Sequence, residues 1–288
     1  VDRRVCYPIE EEGKLPNIIA FEPHRFESAA QYYLDGRPKY AQRLIRRLAA
    51  LLGFNGTQRL LDLGTGPGQL ALAFAPYVGE VTAIDPEPQM LRIAAEQAAK
   101  AGVRLNLQEG NSYTLDAALG RFDLVTIGRA FHWMDRTRTL ETLDKLIRPN
   151  GAVALFATRH PTLPENGWLK DYDAIIDSYG EADSPRRTRR SPDWVPHETI
   201  LLDSPFSELE RASVIERRLT PLDGFVSRAL SFSISSPGRI GGRANELASA
   251  VRATLSPYAT GGMIQEVVES EALLAFRPTE AVSGAGQA

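Results

Sequence analysis

Over residues 59–158, short apolar runs alternate with stretches in which apolar side chains return every three to four positions. The short runs have strand length, and the longer stretches have the period of a helix. RLLDLG (59–64), EVTAID (80–85), RLNLQEG (104–110), FDLVTIG (122–128) and GAVALFAT (151–158) read as strands. QLALAFAPY (69–77), PEPQMLRIAAEQAAKAG (86–102) and DRTRTLETLDKLIRP (135–149) read as helices. This alternation predicts a parallel sheet with helices on both faces. Upstream, Tyr40, Leu44, Ile45, Leu48 and Leu52 share one face of a helix over 38–53, with Pro38 in its first turn and Gly53 as its C-terminal cap.

After residue 158 the rhythm breaks. GWLKDYDAIIDSYG (167–180), LDGFVSRALSFS (222–233) and residues 241–255 read as helices, and the polar, Pro-rich segment 181–199 as an exposed loop. SVIERRL (213–219) and the apolar stretch at 263–278 read as late strands. The economical architecture is a core sheet at 55–158 closed by those two strands, with helical material between 159 and 260 covering a substrate. Residues 1–20 read as a loosely held arm whose Tyr7, Ile9, Ile18 and Ile19 could pack on the active-site mouth or a neighbouring subunit.

A chain of 288 residues with 43% hydrophobic side chains can build one large α/β domain carrying a lobe, without staples. Its one cysteine, Cys6, allows no internal disulfide, and no CxxC or Cys/His cluster offers a metal site. These features, with no signal-peptide core and no apolar run of bilayer length, lead us to expect a cytoplasmic protein without a membrane partner. The net charge of −3 supplies no global positive field for nucleic acid.

The most informative segment is LDLGTGPG at 61–68, where Gly64, Gly66 and Gly68 alternate directly after a strand. Glycines there allow a sharp turn and close approach of backbone to ligand, although a tight turn alone would also use them. A dinucleotide fingerprint needs GxGxxG, whereas here the pattern is GxGxG and position 69 is Gln. Asp62 stands just ahead of the turn, where a carboxylate repels a pyrophosphate but can orient, directly or through water, the amino-acid end of a cofactor without phosphate. The charge argument favours S-adenosylmethionine over NAD. Asp85 closes the second strand, 21 residues after Gly64, and can accept from both hydroxyls of the ribose that the two cofactors share. It could instead cap the next helix, whose first turn suits Pro86. Met90 could border the adenosine or lie in the core.

LLDLGTGPGQLALAFA, VTAIDPEPQML, FDLVTIGRAFHWMD and LIRPNGAVALF, taken in order, resemble the class I S-adenosylmethionine-dependent methyltransferases. FHWMD and the upstream Tyr33-x-x-x-Arg37-Pro38-x-Tyr40 resemble the subgroup that includes trans-aconitate methyltransferases. The resemblance covers about residues 26–158. It implies an α/β, Rossmann-like, mostly parallel seven-stranded sheet flanked by helices, with a helical substrate-covering insertion. The expected organisation is an N-terminal arm and lid at 1–36, an S-adenosylmethionine-binding core at 37–158, a substrate-covering insertion at 159–212, late strands with intervening helices at 213–278, and a flexible tail at 279–288.

By the same resemblance Gly64 and Gly66, with Thr65 between them, would lie against the methionine portion, and Asp85 would hold the ribose. Asn111 and Ser112 would face the adenine; the family commonly has an acidic residue at the first of these, and the Asn111 amide oxygen can accept the same bond. Arg129 and Ala130 would sit at the crevice mouth, with Phe131, His132 and Trp133 over the site. Arg37 would approach the methionyl carboxylate, a surface salt bridge being its alternative. Tyr33 would close over that end or line the acceptor pocket, with Tyr32 as its immediate alternative.

Methyl transfer from a sulfonium is an in-line displacement that needs no acid for its thioether leaving group, and much of the work is alignment. A hydroxyl acceptor benefits from a general base. His132 and His160 are the candidates, each with a purely structural alternative; His24 and His197 rank behind them. Phe21, Trp168 and Tyr172 are candidate pocket walls. Arg186, Arg187, Arg189 and Arg190, flanked by Asp183 and Asp193, read first as a solvated loop and second as an anion-steering one. GRAFHW stands where amino-methylating nucleic-acid enzymes of this fold carry an Asn/Asp-Pro-Pro-aromatic element. The expected activity is therefore methyl transfer to an O or N atom of a small metabolite or natural-product intermediate, with no nucleic-acid partner. A non-catalytic S-adenosylmethionine-binding protein and, behind it, an NAD-dependent oxidoreductase are the alternatives. A homodimer rests only on the commonness of symmetric pairs.

Overall fold

In the computed structural model, residues 18–19, 21–180 and 184–279 are described. The expectations placed on Cys6, Tyr7, Ile9, Asp183 and residues 280–288 lie outside them. One seven-stranded sheet organises the chain, in the order β3-β2-β1-β4-β5-β7-β6. The strands are β1 (Arg59–Leu63), β2 (Glu80–Asp85), β3 (Asn106–Glu109), β4 (Phe122–Gly128), β5 (Ile147–Arg159), β6 (Glu208–Pro221) and β7 (Met263–Phe276). The first five pair in parallel, and β7 runs antiparallel to both β5 and β6. The expected fold class is found.

Alternation along each strand fills both faces. Leu60, Leu124 and Ala154 pack with Leu44, Ile45 and Leu48 of α2 (Gln42–Leu51) and with Leu70 and Phe74 of α3 (Gln69–Phe74), which follows α1 (Ala30–Gly36) and α2 along the chain. Leu61, Leu63, Val125 and Val153 point the other way, onto Leu140, Leu143 and Leu146 of α5 (Arg136–Leu146). A sheet covered on both faces requires such apolar strands. The Ala-rich α4 (Pro88–Ala101) ends, as its sequence predicts, at a left-handed Gly102 (φ 65).

The remaining helices are α6 (Leu169–Gly180), α7 (Ser184–Arg190), α8 (His197–Leu202), α9 (Leu222–Leu230), α10 (Pro237–Ile240) and α11 (Ala244–Leu255). Trp168, Tyr172 and Ile176 pack on Phe225, Val226 and Leu230 of α9 and on Leu247, Val251 and Leu255 of α11, forming a second apolar core beside the sheet. Trp168 and Tyr172 are thus buried inside this lobe, and the sequence expectation that they wall the pocket is corrected.

Several local expectations change. Pro38 does not start α2: Arg37 before it is extended (ψ 127), as a residue preceding proline prefers, and the helix begins at Gln42. The helix expected to run to 149 stops at Leu146, because Pro149 cannot continue it, and β5 starts at Ile147 across a register shift against β4. The segment 181–199, expected as a loop, contains α7 and the start of α8. The late strand expected at 213–219 runs from Glu208 to Pro221 and pairs with β7 along its whole length.

Candidate functional site

The carboxyl ends of the parallel strands open into a cavity of about 670 Å³. Its size is that of a small-molecule site, and its place is the crevice where open α/β sheets bind ligands. In the turn after β1, Gly64 (φ 70), Gly66 (φ 55) and Gly68 (φ 82) are all left-handed. A side chain on Gly64 would meet the Ala130 methyl at 2.7 Å, so this glycine allows the turn to pack on the end of β4. Gly66 has nothing within 4 Å of a built-on Cβ and lines the cavity, leaving room for a ligand against backbone.

Asp62 organises this turn from beneath. Its Oδ2 accepts from Thr65 Oγ1 (2.6 Å) and Ala71 N (3.1 Å), and its Oδ1 accepts from Thr126 Oγ1 (2.7 Å). Burial pushes the carboxyl pKa up, against the pull of those three donors. Asp62 and Thr65 do not line the large cavity; they border a small hollow beside it with Tyr33, Gly64 and Arg129. The carboxylate expected to face a ligand has turned inward onto the loop it holds.

Asp85 does line the cavity. Its Oδ2 accepts from Gly66 N (2.7 Å) and its Oδ1 from Glu87 N (2.9 Å), which leaves a lone pair on each oxygen. Burial pushes its pKa up to about 7, with the two backbone donors pulling the other way. Pro86, Met90, Asn111 and Ser112 continue the same wall. The Asn111 side-chain oxygen accepts from Tyr113 N (2.9 Å), so it also closes its own turn. Glu87, which the sequence pattern does not single out, is buried on this wall and accepts from Phe26 N (3.2 Å), tying the N-terminal segment across the crevice. Phe21, Glu22, Arg25 and Phe26 line the cavity from that segment.

Tyr33, Arg37 and Arg129 form the adjoining side of the cavity. Tyr32, the alternative to Tyr33, packs against the lobe core. Arg37 donates from Nη2 to Ser231 O (3.1 Å) and lies over the Phe232 ring at 4.1 Å. Burial pushes its pKa down to about 10. Arg129, in the left-handed region (φ 57), donates to Pro38 O (3.1 Å) and Gln69 Oε1 (2.7 Å) and lies over Tyr40. A non-glycine residue held there stores about 1–3 kcal/mol of strain, a frequent mark of functional turns. The Nε atoms of both arginines are buried and have no hydrogen-bond partner among the described residues. Two desolvated guanidinium groups with unused donors make a place for an anion.

Ala130, Phe131, His132 and Trp133 carry the wall into the second half of the cavity, where Arg189 and His197 lie against them and Ile176 and Phe232 add to the lining. Arg189 donates to His132 Nε2 (3.1 Å) and lies 5.2 Å over the Trp133 ring. Arg136 donates to His197 Nδ1 (3.1 Å). A guanidinium has no acceptor, so each contacted ring nitrogen is the lone-pair nitrogen and each histidine carries its proton on the other. Burial, reinforced by Arg189, holds His132 well below the usual histidine range, and burial with Arg136 lowers His197 to about 4. The expectation that Arg189 belongs to a solvated loop is corrected: α7 turns it to the cavity, which Arg190 also borders, paired with Asp177 at 3.1 Å. His160, expected beside His132 as a site residue, does not line the cavity. It leaves the end of β5 toward β7 and donates to Glu266 Oε2 (2.7 Å). His24 is mostly exposed at the edge of the N-terminal segment.

Among the described residues no group of three or more His, Cys, Asp or Glu is placed to hold a metal ion, and no helix is long and apolar enough to cross a membrane.

A Rossmann-like sheet with a glycine turn, an acid closing β2 and a cavity between them defines a nucleoside-cofactor enzyme. Residues 60–151 match the family described as a methyltransferase domain. The uncharacterized methyltransferase Rv3342 of Mycobacterium tuberculosis is 30% identical over 220 residues, covering 75% of this chain and 80% of its own. The malonyl-[acyl-carrier protein] O-methyltransferase of Pseudescherichia vulneris is 34% identical over 142 residues, 49% of this chain and 54% of its own. YjhP from E. coli superposes with a TM-score of 0.52 at 16% identity, over 89% of this chain and 100% of that one. A methyltransferase of Thiobacillus denitrificans, solved with S-adenosyl-L-homocysteine, superposes with a TM-score of 0.50 at 15% identity, over 88% and 98% of the two chains. These two likenesses concern the fold. The chain belongs to the class I S-adenosylmethionine-dependent methyltransferases. It is an enzyme, and S-adenosylmethionine is its cofactor.

The residues present fit that cofactor. Gly66 leaves open space against backbone, Asp85 keeps a lone pair on each oxygen, and Arg37 and Arg129 hold unused buried donors in the same cavity.

Proposed function

We propose that this methyltransferase acts on an O or N atom of a small metabolite or natural-product intermediate, which enters the half of the cavity walled by Trp133, Ile176, Arg189 and Phe232. The observation that carries this reading is the continuity of one cavity from the Gly66–Asp85 wall to that aromatic and cationic half. A pocket of about 670 Å³ between sheet and lobe suits a small acceptor better than a duplex or a folded protein. The partial likeness to an O-methyltransferase acting on a malonyl-acyl carrier protein is compatible with an oxygen acceptor, but it spans only about half of this chain.

In this reading Asp85 accepts from the ribose hydroxyls, Pro86 and Met90 flank the adenosine, and Asn111 and Ser112 face the adenine. Gly64, Gly66, Tyr33, Arg37 and Arg129 surround the amino-acid end, and Ala130 and Phe131 border the mouth. Asp62 and Thr65 act beneath the loop, by fixing its shape. Bound there, the cofactor supplies a methyl group on a sulfonium. The chain aligns the acceptor and excludes water, Phe21 and Phe26 covering one side and the lobe the other. His132 and His197 offer N–H donors rather than bases, because Arg189 and Arg136 hold their lone pairs. The acceptor therefore brings its own lone pair, as a neutral amine or an ionised oxygen.

Calorimetry with S-adenosylmethionine, its demethylated product and NAD tests the cofactor side. Micromolar binding of the two sulfur nucleosides and none of NAD is expected; binding of NAD alone would overturn the reading. On the acceptor side, His132→Gln keeps a donor and lowers kcat by less than about tenfold with an acceptor found by screening. A loss of roughly 10²–10⁴-fold would return the general-base role to His132.

A further inference from the structure

Arg228 and Glu266 form a buried ion pair outside the cavity wall, with side chains 5% and 1% exposed. The pair is bidentate, Nη1 to Oε2 and Nη2 to Oε1 both at 2.8 Å. Glu266 also accepts from Thr220 Oγ1 and from His160 Nε2, the latter at 2.7 Å. Burial alone would raise the Glu266 pKa, but the hydrogen bonds from His160 and Arg228 carry it far below the carboxylate range, so the group is an anion. Apolar residues of equal volume hold a fold as well as such a pair does. What they could not replace is the contact the guanidinium makes away from Glu266 and His160: Arg228 Nε donates to Gly36 O at 2.9 Å.

Gly36 is the last residue of α1, directly before Arg37. A cation on the terminal carbonyl is a favourable helix end. The approach is so close that a Cβ on Gly36 would stand 2.4 Å from the Arg228 backbone nitrogen. Two residues of α9 and its following turn thus frame Arg37: Arg228 holds the carbonyl before it, and Ser231 O accepts from its Nη2 at 3.1 Å.

We propose that Arg228, locked in place by Glu266, is a positioning residue that fixes the Gly36–Arg37 turn and so aims the Arg37 guanidinium at the carboxylate end of the cofactor. This rests on the placing of Arg37 at that end under the proposed function. His160 and Thr220 belong to the same device, as donors that hold Glu266 in the orientation Arg228 needs.

The test compares S-adenosylhomocysteine, which carries the amino-acid end, with methylthioadenosine, which lacks it. Arg228→Lys keeps the charge facing Glu266 but has one donor centre and loses the Gly36 contact. The double variant Arg228→Met with Glu266→Gln removes the same contact and leaves no buried charge unpaired. In either variant, the dissociation constant for S-adenosylhomocysteine should rise about tenfold, roughly one lost hydrogen bond to a charged group, while that for methylthioadenosine stays within about twofold. A purely structural role would weaken both ligands alike, and that result, or no change in either with the fold intact, overturns the proposal. Should Arg228→Lys fail to fold, the double variant decides by the same ratio. Arg37→Met is the control: it should weaken only S-adenosylhomocysteine. If it weakens neither, the assignment of Arg37 fails and the proposal with it; if it behaves as expected while Arg228→Lys does not, positioning alone is wrong.

Discussion

Asp85→Ala weakens S-adenosylmethionine binding by roughly 10²–10⁴-fold, since two hydrogen bonds to a charged acceptor are worth about 1.5–3 kcal/mol each. The fold survives at a cost of about 1–3 kcal/mol, because of the two N–H groups that lose their acceptor the Gly66 one borders the cavity, where water can replace it, and only the Glu87 one is left buried. The same carboxylate makes the wild-type protein pH-dependent in two opposite senses. Its pKa is raised from 3.8 to about 7 in the folded chain, chiefly by burial. A carboxyl raised in this way contributes stability that is complete below about pH 4 and is lost as pH rises through about 7. The interval between those two values corresponds to about 4 kcal/mol, since moving a pKa by one pH unit is worth about 1.36 kcal/mol. The ribose hydroxyls, however, donate to the ionised form. Cofactor affinity should therefore rise with pH up to about 7 and level off above it, and binding at pH 6 should release close to one proton. Calorimetry in buffers of different ionisation enthalpy reads that proton, and thermal melts of the free protein read the stability slope, which Asp85→Asn should flatten. An affinity unchanged between pH 5 and 8, with no buffer dependence of the heat, would remove Asp85 from the ribose.

The parts of this molecule that follow a local rule could be read from the chain. β2 and β4 lie where their apolar runs end, because a doubly covered strand leaves little latitude at its borders. The glycine turn was legible because left-handed backbone and close approach select glycine, and Asp85 because it closes the strand beside that turn. α7 was missed because its sequence, SPRRTRR, carries no apolar period; its Ser-Pro start was the one available signal. In the second half of the cavity Phe131, His132 and Trp133 were legible through the FHWMD resemblance, but the contacts that fix their roles were not. His132 meets Arg189 across 57 residues, and His160 meets Glu266 across 106, so neither pair leaves a mark on local spacing. His160 shows how a sound local argument fails: it does follow a strand that ends at the site, but the last residues of β5 run along β7 and deliver it to a buried anion instead.

Asp62 separates the two roles that its place before the glycine turn allowed. If its charge acts on the cofactor, Asn cannot replace it. If it acts by holding the loop, Asn suffices, for a reason visible in the three donors around it. The amide oxygen can take the place of Oδ2 and accept from Thr65 Oγ1 and Ala71 N. The amide nitrogen then faces Thr126 Oγ1, a hydroxyl that can turn to accept instead of donate. Asn also removes the desolvation that raises the Asp62 pKa. Asp62→Asn should accordingly keep cofactor affinity within about fivefold of wild type and melt within a few degrees of it, a change of about 1 kcal/mol or less. Asp62→Ala strands the Ala71 N–H in the core and releases Thr65 from Thr126 across β1 and β4, at about 2–4 kcal/mol. Its cofactor affinity should fall together with its melting temperature, since Gly64 and Gly66 lose the support that sets their left-handed turn. Should Asp62→Asn remain as stable as wild type yet fail to bind S-adenosylmethionine, the carboxylate charge is part of the binding site, and the inward-facing geometry belongs only to the free protein.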